Sequence, residues 1–101
     1  MKRYTVTLKP AAERDLNGIA DYLADRSSEA IALAFVARIR QTILSLANAP
    51  FRGTLQEDLG EGFRTFGFER RATIAFRVEE DLRRVVILGV FYGGRQVTAR
   101  D

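Results

Sequence analysis

The chain has 101 residues, of which 47% are hydrophobic and 29% are charged, and its formal net charge is +3. This length and composition are typical of one globular domain, residues 1–101. The chain contains no cysteine and no histidine, which argues against a disulfide framework, a zinc site and an imidazole base. Without an apolar run long enough to span a membrane, we expect a cytoplasmic protein with no membrane association, no cofactor and no bound metal.

The basic residues are almost all arginine: only Lys2 and Lys9 among the 16 are lysine. The planar guanidinium group of arginine favours paired hydrogen bonds to phosphate or carboxylate groups. This bias is compatible with a nucleic acid target or an acidic protein partner. A genome-wide preference for arginine over lysine explains it equally well.

The first half of the chain predicts a strand followed by two helices. Tyr4, Val6 and Leu8 alternate with polar residues, which indicates a short strand over residues 3–9. Pro10 suits the first turn of a helix, and apolar residues then recur at three- and four-residue steps to about Asp25. These apolar positions are Ala12, Leu16, Ile19 and Leu23.

A second helix follows a break at residues 26–28, where a serine can cap its start. It is predicted to run to about Asn48, ahead of Pro50. Two amphipathic helices with a short link predict an antiparallel helix hairpin. The predicted buried stripe of the second helix consists of Ile31, Phe35, Ile39, Ile43 and Leu46, widened by Leu33, Val36 and Leu44.

The second half predicts a loop over residues 51–62 and three strands, over residues 63–68, 71–79 and 85–92. The last strand is apolar on both faces, which is typical of a central strand covered on both sides, or on one side by a partner. The whole order predicts an α+β fold, β-α-α-β-β-β, with the helix hairpin on one face of a mostly antiparallel four-stranded sheet. Whether the first strand pairs with the second or the fourth is not decided by the sequence.

The strand over residues 71–79 carries two arginines on one face. Arg71 and Arg77 are six residues apart and therefore share a face in a regular strand. With the helices on one face only, we expect the other face to leave arginines and aromatic side chains free. Arg64 and Arg95 can join this surface, which would suit phosphates or an acidic protein. A solvated strand face is the alternative interpretation.

Several short segments occur in an order and spacing that suggest a family. They are LKPAA (8–12), DLNGIADYL (15–23), AF (34–35), ILSLANAPFRG (43–53), IAFRV (74–78) and VILGVFYGGR (86–95). Together they resemble the RelE/ParE superfamily of bacterial toxins from type II toxin–antitoxin modules. The spacing Leu-x-x-Ile-x-x-Tyr-Leu and the ending Tyr-Gly-Gly-Arg are more similar to the ParE branch.

The resemblance implies partners and a mode of action. A cognate ParD-like antitoxin would neutralise the chain, and operator DNA would be contacted only through that complex. ParE-like toxins poison DNA gyrase without being enzymes. The candidate target-binding residues are Arg64, Arg71, Arg77, Tyr92 and Arg95. The candidate antitoxin-binding residues are Phe66, Phe68 and Phe91, which could line an exposed groove.

Two alternatives stay open. As in the RelE branch, the chain could be a ribosome-dependent mRNA endonuclease. Tyr92 would then take the proton of a ribose hydroxyl, while Arg71, Arg77 and Arg95 stabilise the phosphate. The chain could also be a detoxified module that retains only antitoxin binding.

Overall fold

The computed structural model describes residues 3–98, and in it two helices cover one face of a five-stranded sheet. The predicted α+β class and element order are confirmed, with one strand more than predicted. In chain order the elements are β1 (Thr5–Leu8), α1 (Pro10–Arg26), α2 (Glu29–Ser45), β2 (Thr54–Leu55), a 3₁₀ helix (Glu57–Leu59), β3 (Phe63–Phe68), β4 (Ala72–Glu79) and β5 (Arg84–Tyr92). No helix within this range is long and apolar enough to cross a membrane.

The sheet has the strand order β1-β5-β4-β3-β2, with β1 parallel to β5 and all other pairs antiparallel. The open question about β1 is therefore answered: it lies beside the last strand, with Thr5 opposite Arg84 and Leu8 opposite Ile87. The added strand β2 lies in the predicted loop and pairs Leu55 with Arg64. Two residues are too few to produce a readable alternation.

The ends of the helices follow from local chemistry. Pro10 occupies the first position of α1, where its missing N–H is not needed. The Ser28 side chain caps α2 by accepting a hydrogen bond from the Ile31 N–H at 3.1 Å. Helix α2 ends at Ser45, three residues before the predicted end, because residues 46–48 continue as tighter turns with bonds to the third preceding carbonyl.

The buried stripe of α2 differs from the prediction in part. Ile31, Leu33 and Leu44 are 53%, 59% and 60% exposed, so their predicted burial is wrong. Leu33 and Leu44 lie roughly 120° or more around the helix from Ile39, because each residue advances by about 100°. The buried residues of α2 are Ala32, Phe35, Val36, Ile39 and Ile43.

The core occupies both faces of the sheet. The larger cluster lies between the helices and the sheet, and includes the whole predicted stripe of α1. A second cluster lies on the face away from the helices and consists of Phe63, Ala75, Val86, Leu88 and Phe91. Leu59 of the 3₁₀ helix and Val97 of the C-terminal segment pack against it. The expectation that this face is free is therefore wrong at its centre, because the chain's own segments cover it.

A β-bulge in β5 explains how one strand serves both clusters. Ala75 pairs with Gly89 but the next residue, Phe76, pairs with Ile87, so β5 contains one extra residue at this point. Beyond the bulge, each residue of β5 therefore points to the face opposite to the one that a regular strand would give it. Ile87 and Val90, three residues apart, therefore both belong to the helix-side cluster. The central position predicted for this strand is confirmed, since β5 lies between β1 and β4.

Candidate functional site

Two of the candidate target-binding residues meet at one end of the sheet. Tyr92 pairs with Ala72 across β4 and β5, and the Gly93 N–H donates to the Arg71 carbonyl at 2.8 Å. The Phe35 ring of α2 lies 5.7 Å from the Tyr92 ring and 5.7 Å from the Arg71 guanidinium carbon. Arg71 and Tyr92 therefore lie together on the helix side of the sheet.

Arg77 lies on the opposite face, so the prediction that it shares a face with Arg71 is wrong. Arg71 precedes β4 in a turn in which Glu69 and Arg70 have positive φ angles of 50° and 59°. The alternation of a strand does not apply there. Arg77 itself follows the strand pattern and contacts the Glu79 carboxylate, with Nη2 at 3.2 Å.

Arg64 is held by the loop that precedes β2. Its Nε donates to the Arg52 carbonyl and its Nη2 to the Phe51 carbonyl, both at 3.1 Å. Its guanidinium carbon also lies 5.7 Å from the Phe51 ring. These contacts give Arg64 a structural role in fixing the loop. It does not join the other candidate target-binding arginines in one surface.

The candidate antitoxin-binding phenylalanines are largely buried. Phe68 is 8% exposed and meets the Phe35 ring at 5.5 Å, and Phe91 is 6% exposed in the second cluster. Phe66 is half-buried against the helix-side core. The prediction is therefore corrected for Phe68 and Phe91, which are core residues, whereas Phe66 keeps part of its ring exposed beside the core. Alternation alone cannot show whether the facing layer belongs to the same chain.

An open groove does exist between α1 and the end of β5, and we call it the α1–β5 groove. Its volume is about 450 Å³, and it is lined by Arg14, Asp15, Gly18, Ile19, Tyr22, Tyr92, Gly93 and Arg95. The Tyr22 and Tyr92 rings are 5.8 Å apart, and the Arg26 guanidinium lies 4.1 Å from the centre of the Tyr22 ring. The groove thus combines aromatic surface with arginines at its edges.

Sequence reasoning included Tyr92 and Arg95 but missed the α1 side of this groove. The signal was present, because Arg14, Gly18, Tyr22 and Arg26 follow one another at four-residue steps. Such steps place side chains in one row along a helix. The row lies beside the buried stripe, and Gly18 has no atom within 4 Å of the position a Cβ would take.

Four ion pairs among the described residues involve Glu13, Glu69 and Glu79. Hydrogen bonding to Arg40 lowers the pKa of Glu13, and hydrogen bonding to Arg38 lowers the pKa of Glu69. Hydrogen bonds from Arg84 and then Arg77 lower the pKa of Glu79. Within residues 3–98 no group of acidic side chains is arranged to hold a metal ion.

Comparison with known proteins places this architecture in a family. Residues 6–97 match the family described as "ParE toxin of type II toxin-antitoxin system, parDE". The chain belongs to the ParE toxin family. The larger RelE/ParE grouping indicated by the sequence is thereby confirmed.

Solved structures share the fold of this ParE-family chain. A chain of the chromosomal ParDE toxin–antitoxin system from P. aeruginosa aligns with a TM-score of 0.76 and 23% identity, over 89% of this chain and 96% of that chain. A chain of the RelBE2 toxin–antitoxin complex from Mycobacterium tuberculosis aligns with a TM-score of 0.66 and 20% identity, over 90% of this chain and 99% of that chain. No functionally curated protein matches significantly.

Proposed function

We propose that this ParE-family toxin inhibits DNA gyrase by binding it, without catalysing a reaction. Its membership of the ParE family over residues 6–97 is the observation that carries the proposal. The geometry supports it, because Arg77 and Tyr92 lie on opposite faces of the sheet. A nuclease site would need its proton acceptor and its phosphate-binding arginines around one phosphate.

Purified toxin tests this directly in a gyrase supercoiling assay. We expect supercoiling to stop and cleaved DNA to accumulate as the toxin is titrated. Gyrase that works normally in excess purified toxin, while translation stops in cells that express the chain, would contradict the proposal. Growth without any arrest on induction would instead indicate a detoxified module.

The nuclease alternative retains one specific observation, the proximity of Arg71 and Tyr92 around Phe35. If these residues cleave mRNA, ends should map to fixed codon positions in cells that express the chain. Tyr92→Phe, which keeps the ring contacts and removes the hydroxyl, should abolish those ends. Toxicity that survives this substitution without mRNA cleavage would rule the nuclease out.

We further propose that an antitoxin neutralises the chain by placing an acidic, amphipathic segment in the α1–β5 groove. The two structural relatives come from toxin–antitoxin systems. The groove offers exposed aromatic surface at Tyr22, which is 45% exposed, and is also lined by Arg14 and Arg95. A segment with apolar anchors and acidic flanks would match both features.

Variants in the groove test this placement. Tyr22→Ala removes a central anchor, so we expect affinity for the product of the adjacent antitoxin gene to fall by about tenfold or more. Arg95→Glu should also weaken binding, whereas Arg83→Glu, outside the groove, should not. Saturating antitoxin should raise the free energy of unfolding, by about 4 kcal/mol at a thousandfold excess over the Kd. Equal binding by wild type and Tyr22→Ala would place the antitoxin elsewhere.

A further inference from the structure

A recess on the sheet face away from the helices is lined by three cationic side chains and one carboxylate. It lies between the start of α1 and the adjoining ends of β4 and β5, with a volume of about 270 Å³. We call it the basic recess and define it by Lys9, Arg77, Glu79 and Arg84. These groups leave two positive charges in excess. The recess is separate from the α1–β5 groove and from Arg71 and Tyr92.

Glu79 holds the two arginines in fixed directions. One of its carboxylate oxygens faces Nε and Nη2 of Arg84, at 2.7 and 2.6 Å. The other oxygen faces Nε and Nη2 of Arg77, both at 3.2 Å. A guanidinium group has five N–H donors, so three on each arginine are not directed at Glu79. The carboxylate therefore orients the arginines without using all of their donors.

The start of α1 adds to the positive potential of the recess. Lys9 occupies the N-cap position and Pro10 is the first residue of the helix, and both line the recess. The N-terminal end of a helix carries a partial positive charge, which favours anions nearby. The Thr7 hydroxyl on the exposed face of β1 also lines the recess and can donate a hydrogen bond.

The surroundings favour an approach along the edge formed by β1 and the start of β5. Arg3 and Arg83 are exposed there, next to Thr5, which pairs with Arg84 and whose N–H donates to the Arg83 carbonyl. On the other side of Arg77 lies a wider depression of about 690 Å³ lined by Glu57, Glu61, Glu80 and Asp81. Its carboxylates would repel an anionic chain. The arrangement suits a linear polyanion that follows the basic edge.

We propose that the basic recess binds the phosphate groups of a nucleic acid backbone. Oriented arginines and a lysine are the groups that neutralise phosphates, and such contacts position a nucleic acid without reading its sequence. The proposal does not depend on gyrase as the target. If gyrase is the target, the recess supplies a contact to its DNA.

Fluorescence anisotropy with a labelled DNA duplex of mixed sequence, and with RNA of the same sequence, tests the proposal at several salt concentrations. Each lost phosphate contact should reduce the slope of log K against log salt by about 0.9, which corresponds to about eightfold weaker binding at 0.1 M salt. We expect this loss for Arg84→Gln and for Lys9→Gln. Tighter binding of DNA than RNA, or the reverse, identifies the source of the phosphates.

Arg70→Gln is the matched control, because it removes the same charge from an exposed arginine at the opposite end of β4, away from both the recess and the basic edge. Circular dichroism and thermal unfolding establish that each variant is folded. Equal weakening by Arg70→Gln and Arg84→Gln would overturn the proposal, since general charge would then explain the binding. Tighter binding of a poly-glutamate peptide than of either nucleic acid would also overturn it, in favour of an acidic protein.

Discussion

A single carboxylate connects helix α1 to the open edge of β5. Strand β1 ends beside Ile87, and further along β5 Asp15 Oδ2 accepts a hydrogen bond from the Val90 N–H at 2.9 Å. A strand N–H in a partly buried place needs such a partner. Asp15 thus supplies the acceptor that a longer β1 would have supplied.

Replacing Asp15 should therefore reduce stability. We expect Asp15→Ala to lower the free energy of unfolding by about 1–3 kcal/mol, because the Val90 N–H loses its acceptor. Asp15→Asn keeps an acceptor oxygen and should lose less. Urea unfolding measures both, with Asp21→Ala, exposed on the same helix, as the control. Equal stability of wild type and Asp15→Ala would show that water replaces the carboxylate.

At the residue scale, the sequence predicts burial better than it predicts partners. Ala12, Leu16, Ile19 and Leu23 were assigned to the core from their spacing alone, and all four are buried. The Asp15 contact could not be inferred in this way, because Val90 is 75 positions further along the chain. Such a pair becomes visible only when the strand order is known.

At the element scale, one ion pair connects the two helices. Arg40 Nη2 lies 2.8 Å from Glu13 Oε1, and both side chains are between 40% and 50% exposed. The hydrogen bond to Arg40 lowers the pKa of Glu13 in the folded chain. The unfolded chain therefore binds a proton at higher pH than the folded chain does.

The contribution of this pair should depend on pH. At neutral pH we expect Glu13→Gln to be less stable than wild type by about 0.2–1 kcal/mol, as for other exposed pairs. The stabilisation is fully present above the unfolded pKa of about 4.3 and is lost as the pH falls through the lower, folded pKa. Urea unfolding at neutral and acidic pH measures the difference. A difference that persists in acid would mean that the charge of Glu13 is not its cause.

Two glycines should respond in opposite ways to substitution by alanine. Gly53 precedes β2 with a φ of 76°, and a Cβ there would overlap the Thr65 carbonyl oxygen of β3. We expect Gly53→Ala to cost about 1–3 kcal/mol and to detach β2, because strain in this region of φ adds to the steric overlap. Gly18→Ala, in the middle of α1 with free space around it, should stabilise by about 0.5–1 kcal/mol. Thermal unfolding compares the two, and a stable Gly53→Ala would contradict the role given to this turn.

The features that could not be predicted from the sequence are those without a periodic pattern of apolar residues. Strand β2 has only two residues. The β5 bulge lies within a run of apolar residues, so the sequence shows no alternation of polar and apolar positions that a bulge would interrupt. The exposed Leu33 and Leu44 of α2 were assigned to the core because hydrophobicity alone does not show which side of a helix faces the sheet. Packing against α1 decides which side of α2 is buried, and that packing depends on the whole fold.

At the scale of the whole molecule, the second apolar cluster depends on covers from distant parts of the chain. Leu59 and Val97 pack against the cluster of Phe63, Val86, Leu88 and their neighbours. Leu59 comes from the loop before β3, and Val97 comes from the segment after β5. The centre of the far face is therefore covered by two short segments, whereas the near face is covered by two helices.

Val97→Asp should open this cover and leave the helix-side core intact. A carboxylate is costly to place against apolar side chains, so the C-terminal segment should leave the sheet. We expect the free energy of unfolding to fall by about 1–2 kcal/mol, as is usual for the loss of a partly buried apolar contact.

The uncovered cluster should bind more of an apolar fluorescent dye. Thr98→Asp, which adds the same charge at an exposed neighbour, should change neither quantity. Equal dye binding by both variants would mean that the second cluster is closed without Val97.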